Sequence, residues 1–293
     1  MNSVAERLWR GLPNSVRDSV KDVYAGYARA TGSLRVLPDY LIIGTQRGGT
    51  TSLYKYLVRH PAHAHALTKE LRFFDLNYGR GLDWYRSCFP SRPYRRLFRA
   101  ARGVELRVGE ASPDYVFHPN ADHRIARDLP WARFVLLLRN PVDRAHSHYW
   151  HQFKRGHESL SFEEAIDREL ERLDGELERM ERDPEYVSYE YHHHSYLTRG
   201  RYAEQLERWF ELFPRDRFLV ERSEDFYEDP HEVCQRVLDF LELPRRSVGP
   251  YEVFNAFGEG SLDPATRGRL VEHFRPHNAR LSALLGRDMG WDG

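Results

Sequence analysis

Residues 40–51 read YLIIGTQRGGTT. The apolar run Tyr40 to Ile43 leads directly into Gly44, Gly48 and Gly49, and Thr50, Thr51 and Ser52 follow. The short apolar run predicts a buried strand, and Leu53, Leu57 and Val58 recur at helical spacing, predicting a helix that ends before Pro61. Strand, glycine turn and helix form the opening unit of an α/β sheet. In that setting backbone N–H groups and the helix N-terminus converge on a bound anion, and the threonine and serine hydroxyls add donors. A nucleotide triphosphatase places a lysine after the second glycine; here that position is Thr50, and the loop's cation, Arg47, comes three residues earlier.

Further along, Phe134 to Leu138 is continuously apolar, as expected of a central parallel strand covered on both faces. It ends in Arg139, where metal-dependent phosphate chemistry requires an acid. Asn140-Pro141 reads as N-cap and first helical position of a helix through Ser147 and Trp150. A third strand, Arg217 to Val220, follows a helix over Tyr202 to Phe213 whose Leu206, Trp209 and Phe210 share one face. The expected fold is α/β: a central, mostly parallel sheet flanked by helices, with a P-loop-like turn. Arg139 and Ser147, two helical turns apart, make a second anion contact. Two separated anion sites fit a nucleotide phosphorylated at two places, held without a metal.

The chain has 293 residues, with Lys+Arg and Asp+Glu equal at 44 each. No global field therefore favours nucleic acid, and anion binding has to come from local geometry. We expect one domain over 37–293, preceded by a helical extension over 1–36 in which Val16, Val20, Val23 and Tyr27 recur at helical spacing. The extension reads as a helix packed on its own domain, with peripheral membrane contact as the lesser alternative. Cys88 and Cys234 lie far apart, which suits a reducing compartment. No apolar run has membrane-spanning length, and MNSVAERLWRGLPN lacks the apolar stretch of a signal peptide, so a cytoplasmic location is expected.

Residues 161–199 form an expected lid or substrate wall. Its first part, 163–182, reads as a charged surface helix, and EYVSYEYHHHSY follows Pro184. Neither His60, His63 and His65 nor His192, His193 and His194 has a cysteine or acid at metal-ligand spacing, so no metal is expected. His192, His193 and His194 are assigned to the acceptor pocket, with Tyr189, Tyr191 and Tyr196 stacking on a sugar or aromatic ring.

These motifs carry a resemblance. GTQRGGTTSLYKYL, from Gly44, resembles the 5′-phosphosulfate loop of sulfotransferases that use 3′-phosphoadenosine 5′-phosphosulfate (PAPS), and LLLRNPVDRAHSHY, from Leu136, resembles their 3′-phosphate motif. The likeness is closest to the heparan-sulfate-type branch and its bacterial relatives. It extends through TKELRFFD (68–75), DWYRSCFP (83–90), GRYAEQLERWFELFP (200–214) and HNARLSALLGRDMGWD (277–292).

The resemblance implies sulfuryl transfer from PAPS to a hydroxyl or amine of a carbohydrate, glycolipid or small natural product. Arg47 matches the catalytic cation, usually lysine, and Gly48, Gly49, Thr50, Thr51 and Ser52 match the loop around the phosphosulfate. Arg139 and Ser147 match the 3′-phosphate pair, and Glu70 the general base. Because arginine stays protonated, Arg47 is given an electrostatic role only. Arg72 stands where heparan-type enzymes commonly carry histidine, and with Asp75 it is placed at the acceptor site. The cysteine-flanked clamp of the animal enzymes is missing; Arg267-Gly268-Arg269 imitates it but reads as a helix-surface pair. Arg199 and Tyr202 are the candidates to help cover the nucleotide. The competing readings are a kinase-like phosphotransferase, disfavoured by Thr50 and Arg139, and a catalytically silent nucleotide-binding protein.

Overall fold

The strand read at Tyr40 is the centre of the fold. In a computed structural model, which describes residues 26–27, 30–252 and 260–292, it is β1 (Tyr40–Gly44), every residue of it buried. Around it stand β2 (His63–His65), β3 (Arg107–Ala111), β4 (Arg133–Leu138) and β5 (Phe218–Arg222), in the order β2-β3-β1-β4-β5. All four pairings are parallel. Because β3 flanks β1 on one side and β4 on the other, strand order reverses at β1, and a crevice opens beyond its carboxyl end.

Alternation along the strands sorts side chains into two layers. Leu41 and Ile43 point with Val108, Phe134, Leu136 and Leu138 into one core, with Ala121 and Ile125 of α4 (Ala121–Asp128) and Leu206 and Trp209 of α10 (Tyr202–Leu212). Tyr40, Ile42, Val135 and Leu137 point the other way, against Leu53 and Leu57 of α1 (Thr50–Leu57) and Val233 and Val237 of α12 (Pro230–Phe240). A third cluster joins α5 (Pro141–Lys154), α6 (Phe162–Asp167) and α13 (Pro264–Leu285) through Val142, Tyr149, Phe162 and Phe274. Helices α2 (Leu82–Ser87) and α3 (Arg92–Arg102) precede β3, and α11 (Ser223–Glu228) follows β5.

The reading of 163–182 as one charged helix does not hold. The stretch forms α6, α7 (Glu169–Leu173) and α8 (Glu176–Arg182), broken at Gly175, which has φ +70. Glu169 turns inward to accept from the Leu197 and Thr198 amides at 2.6 and 2.7 Å, and α9 (Tyr189–His193) follows. Strand β3 shows no apolar run because it carries Gly109 and Glu110. A Cβ at Gly109 would sit 2.1 Å from the Tyr40 ring. Most of the extension over 1–36 lies outside the described residues. Among those described, no helix is long and apolar enough to cross a membrane.

Candidate active site

The loop after β1 is moulded by its neighbours. Thr45 N donates to Leu137 O at 2.9 Å and Gly48 N to Thr45 O at 2.9 Å, closing a tight turn against β4. A Cβ on Gly48 would lie 2.4 Å from the Leu137 carbonyl, so only glycine lets the turn approach. Ser223, at the start of α11, donates its hydroxyl to Gly48 O at 2.8 Å. Gly49 has φ +91 and precedes α1 with no side-chain cap. The start of α1 thus carries no capping side chain where an anion would sit, although Ser52 N already turns back to Gly49 O at 3.0 Å.

The two predicted anion contacts meet directly. Arg47, at φ +70, donates Nε–H to Ser147 Oγ at 2.9 Å. Arg139 at the end of β4 donates from Nη1 to Arg47 O at 3.3 Å. Asn140 caps α5 by accepting from Val142 N at 3.0 Å, which sets the helix so that Ser147 comes back over the loop. Tyr202 is buried and donates its hydroxyl to Arg139 O at 2.8 Å. Its ring leans on Trp291, whose indole N–H donates to Glu224, the same carboxylate that receives Asn140 N. Tyr202 therefore reaches this site through Arg139.

Glu70 and Arg72 lie on the loop before α2, at φ +60 and +51. Glu70 N donates to Ala111 O at 3.0 Å, which ties it to the carboxyl end of β3, next to β1. Its side chain is 44% exposed and pairs with Lys69. Beneath the loop, Glu110 is fully buried and receives the Tyr85 and Tyr115 hydroxyls at 2.9 Å each and Ser112 Oγ at 3.1 Å. Tyr115 OH in turn accepts Phe73 N at 2.8 Å, and Ser112 Oγ accepts Arg72 N at 3.1 Å. Through these two hydroxyls Glu110 holds the backbone that carries Glu70 and Arg72. Burial pushes its carboxyl up to about 7 despite the three donors.

Beside that loop is an ion network absent from the sequence reading. Asp114 is buried between Arg72, at 2.8 Å, and Arg199, at 2.6 Å. Arg72 also holds Asp75 at 2.5 Å and faces His192 at 3.2 Å. Burial alone would raise Asp114, but Arg72 and Arg199 outweigh it and keep the carboxyl well below the usual range. For Asp75 burial prevails and the carboxyl is raised. Burial lowers His192 to about 4, so its imidazole is neutral near pH 7. Arg199 is 2% exposed, stacks over Phe117 at 4.3 Å and is enclosed by Ser195 and the Tyr191 and His192 carbonyls. It supports the wall of the crevice from within. The signal available in the sequence for Asp114 was its place in Ser112-Pro113-Asp114, directly after the unrecognised β3.

A cleft lined by Arg72, Asp114, Phe117, Met180, Tyr191 and His192 adjoins the network. His193 bonds Gln152 at 3.1 Å and stacks on His157, while His194 pairs with Glu190 at 2.5 Å and His157 O at 2.9 Å. Those two histidines lock α9 onto the end of α5, and only His192 of the three lines the cleft. Tyr191 stacks on Phe117 at 4.4 Å, and Tyr196 is fully buried with its hydroxyl on Glu158 at 3.0 Å. Of the three tyrosines expected to stack on an acceptor, Tyr189 alone is well exposed. Arg267 and Arg269 pair on the surface with Asp143 and Asp167, at 2.5 and 2.7 Å.

This loop, with its second cation at the end of β4, is the arrangement of a sulfotransferase, and residues 37–260 match the sulfotransferase domain family. The chain belongs to that family. It is 26% identical to the membrane-associated sulfotransferase kil1 of Dictyostelium discoideum, over 89% of this chain and 68% of that protein. It is 30% identical to heparan sulfate glucosamine 3-O-sulfotransferase 3A1 of Mus musculus, over 88% of this chain and 65% of that protein. The chain thus spans about two thirds of the length of these curated relatives. A crystal structure of a sulfotransferase from Alicyclobacillus acidocaldarius matches with TM-score 0.67 and 32% identity, covering 88% of this chain and 99% of that one.

Proposed function

We propose that this protein moves a sulfuryl group from PAPS to a hydroxyl or amine of a carbohydrate, glycolipid or small natural product by in-line displacement. The observation that carries the reading is the contact of Arg47 with Ser147, which joins the glycine loop to the helix after Arg139. PAPS supplies an activated sulfuryl group bridged to a 5′-phosphate. The uncapped start of α1 and the tight turn that Gly48 permits against β4 fit that phosphosulfate, with Arg47, Gly49, Thr50, Thr51 and Ser52 as donors. Arg139 and Ser147 hold the 3′-phosphate, and Tyr202 fixes Arg139.

Glu70 accepts the proton of the acceptor as its oxygen or nitrogen bonds to sulfur. The bond from sulfur to the bridging oxygen breaks on the opposite side, and Arg47 with the loop amides stabilises the charge that collects on the departing phosphate. Arg72 and His192 border the acceptor, while Asp75, expected there from the sequence, has its side chain wholly buried and acts by holding Arg72. Being fixed by two carboxylates, Arg72 presents an oriented guanidinium edge in place of a free charge. The two buried, unpaired thiols, Cys88 and Cys234, suit a reducing compartment, and we place the protein in the cytoplasm.

Incubation with donor carrying labelled sulfate and a panel of sugars, glycolipids and phenols tests this reading. Label should appear in an acceptor, and Glu70→Gln should keep donor binding while losing transfer. Full activity in Glu70→Gln removes Glu70 as base. A strict requirement for ATP and Mg²⁺ would overturn the reading in favour of a kinase.

A further inference from the structure

Helix α3 is unlike the helices that pack on the sheet, because none of its 11 residues is buried. Its sequence, RPYRRLFRAAR, contains five arginines and no acid. Ser91 caps its start by accepting from Tyr94 N at 3.3 Å, Gly103 ends it at φ +69, and of its apolar side chains Phe98, half-buried, packs on the core while Leu97 and Tyr94 do not. Leu97 is 68% exposed and Tyr94 52%. At roughly 100° per residue, Pro93, Leu97 and Ala100 share the outward side, with Arg92 and Arg96 alongside. Arg95 and Arg99 meet Asp39 and Glu105, at 2.9 and 2.7 Å. Arg92, Arg96 and Arg102 form no ion pair with another described residue.

We propose that α3 is a peripheral docking helix for an anionic lipid surface. Leu97 and Tyr94 enter the boundary between headgroups and acyl chains, and Arg92 and Arg96 meet lipid phosphates and carboxylates, whereas Arg102 lies on the Phe98 side of the helix. Charge complementarity alone would also suit a sulfated polysaccharide. The exposed leucine and tyrosine decide for the bilayer, since a polyanion supplies charge but no apolar medium in which to bury them.

The position of α3 leaves the catalytic crevice free. Arg95 pairs with Asp39, immediately before β1, and Phe98 and Arg102 lie beside Ala62, immediately before β2. The helix therefore sits at the amino edge of the sheet and the phosphosulfate loop at the carboxyl edge, roughly 17 Å away along a five-residue strand. A docked molecule turns its active site away from the lipid. Arg35 bridges to Ser91, so the chain preceding the domain joins it at the foot of the same helix.

Cosedimentation of the full chain with phosphatidylcholine vesicles, with and without about 30% phosphatidylserine, tests the proposal. Binding should require the anionic lipid and fall with added salt. Combined Arg92→Gln and Arg96→Gln should weaken it more than about tenfold, at about fivefold per arginine. Replacement of the same two by lysine should preserve it, and Tyr94→Ser with Leu97→Ser should reduce it severalfold. Circular dichroism and donor binding should be unchanged throughout, since α3 takes no part in the site. Absence of vesicle binding, or undiminished binding by the glutamine variant, overturns the proposal. So does loss with the arginines alone, indifferent to Tyr94 and Leu97 and matched by lost retention on heparin-agarose, which would make the surface a polyanion site.

Discussion

Arg47 donates Nε–H to Ser147 Oγ at 2.9 Å, joining residues 100 positions apart. The contact fixes the direction of the guanidinium, and its backbone, at φ +70, is the conformation that brings the side chain back over the turn. Under the proposed reaction, a charge oriented in advance would lower the reorganisation needed when the leaving phosphate gains charge.

Arg47→Lys should retain sulfuryl transfer, because the required property is a fixed cation. Arg47→Ala should lower kcat by about 10²- to 10³-fold. Arg47→Gly should be equally inactive yet more stable than the alanine variant by about 1 kcal/mol, since glycine relieves the left-handed backbone. Labelled transfer assays and urea titrations would separate the two effects.

Gly48→Ala forces a methyl group against the Leu137 carbonyl, 2.4 Å from the ideal Cβ. The turn has to move, which should destabilise the protein by about 1–3 kcal/mol and remove donor binding. Calorimetric titration with the desulfated nucleotide would show whether the loop still seats an anion.

Glu110 makes stability depend on pH. Its carboxyl, ordinarily at 4.5, is raised by burial to about 7 in the folded protein. Below pH 4.5 both states hold the proton; between 4.5 and about 7 the unfolded chain releases it first. The stabilisation present at low pH is lost as pH rises through this window, by about 3 kcal/mol in total. Glu110→Gln cannot release a proton, so its stability relative to the parent should improve by that amount from pH 4.5 to above 7. Denaturant unfolding across the range would measure the change, and a pH-independent difference would refute it.

Asp114 behaves in the opposite sense. Its carboxyl is depressed by Arg72 and Arg199 against the effect of burial, so its stabilisation is present above the usual aspartate range and is lost only at strongly acidic pH. Asp114→Asn leaves Arg199 buried without its carboxylate partner and should destabilise by about 3–5 kcal/mol. Melting of the variant at pH 7 tests this. The same variant should weaken acceptor saturation more than donor binding, since Arg72 loses one of its two anchors.

The parts of the fold visible in advance were those whose local pattern agrees with their tertiary role. Tyr40 to Ile43 and Phe134 to Leu138 are apolar throughout because both faces of the sheet are covered, and Asn140-Pro141 announces α5 through its own capping chemistry. Strand β3 was hidden because Gly109 yields its Cβ space to Tyr40 and Glu110 faces a hydroxyl cage. The break in 163–182 was hidden because Glu169 looks like a surface acid until its partners, the Leu197 and Thr198 amides, are brought to it.

By itself the sequence determined the sheet's central strands, the glycine loop and the two arginines, Arg47 and Arg139, which stand within motifs short enough to be read locally. Tertiary structure decided which charges meet. Asp114 lies between Arg72 and Arg199, residues 42 and 85 positions away in the chain, and Glu110 reaches the Glu70 loop through Tyr115 and Ser112. Such pairings depend on strand order and burial, and neither is encoded in the spacing of the residues along the chain.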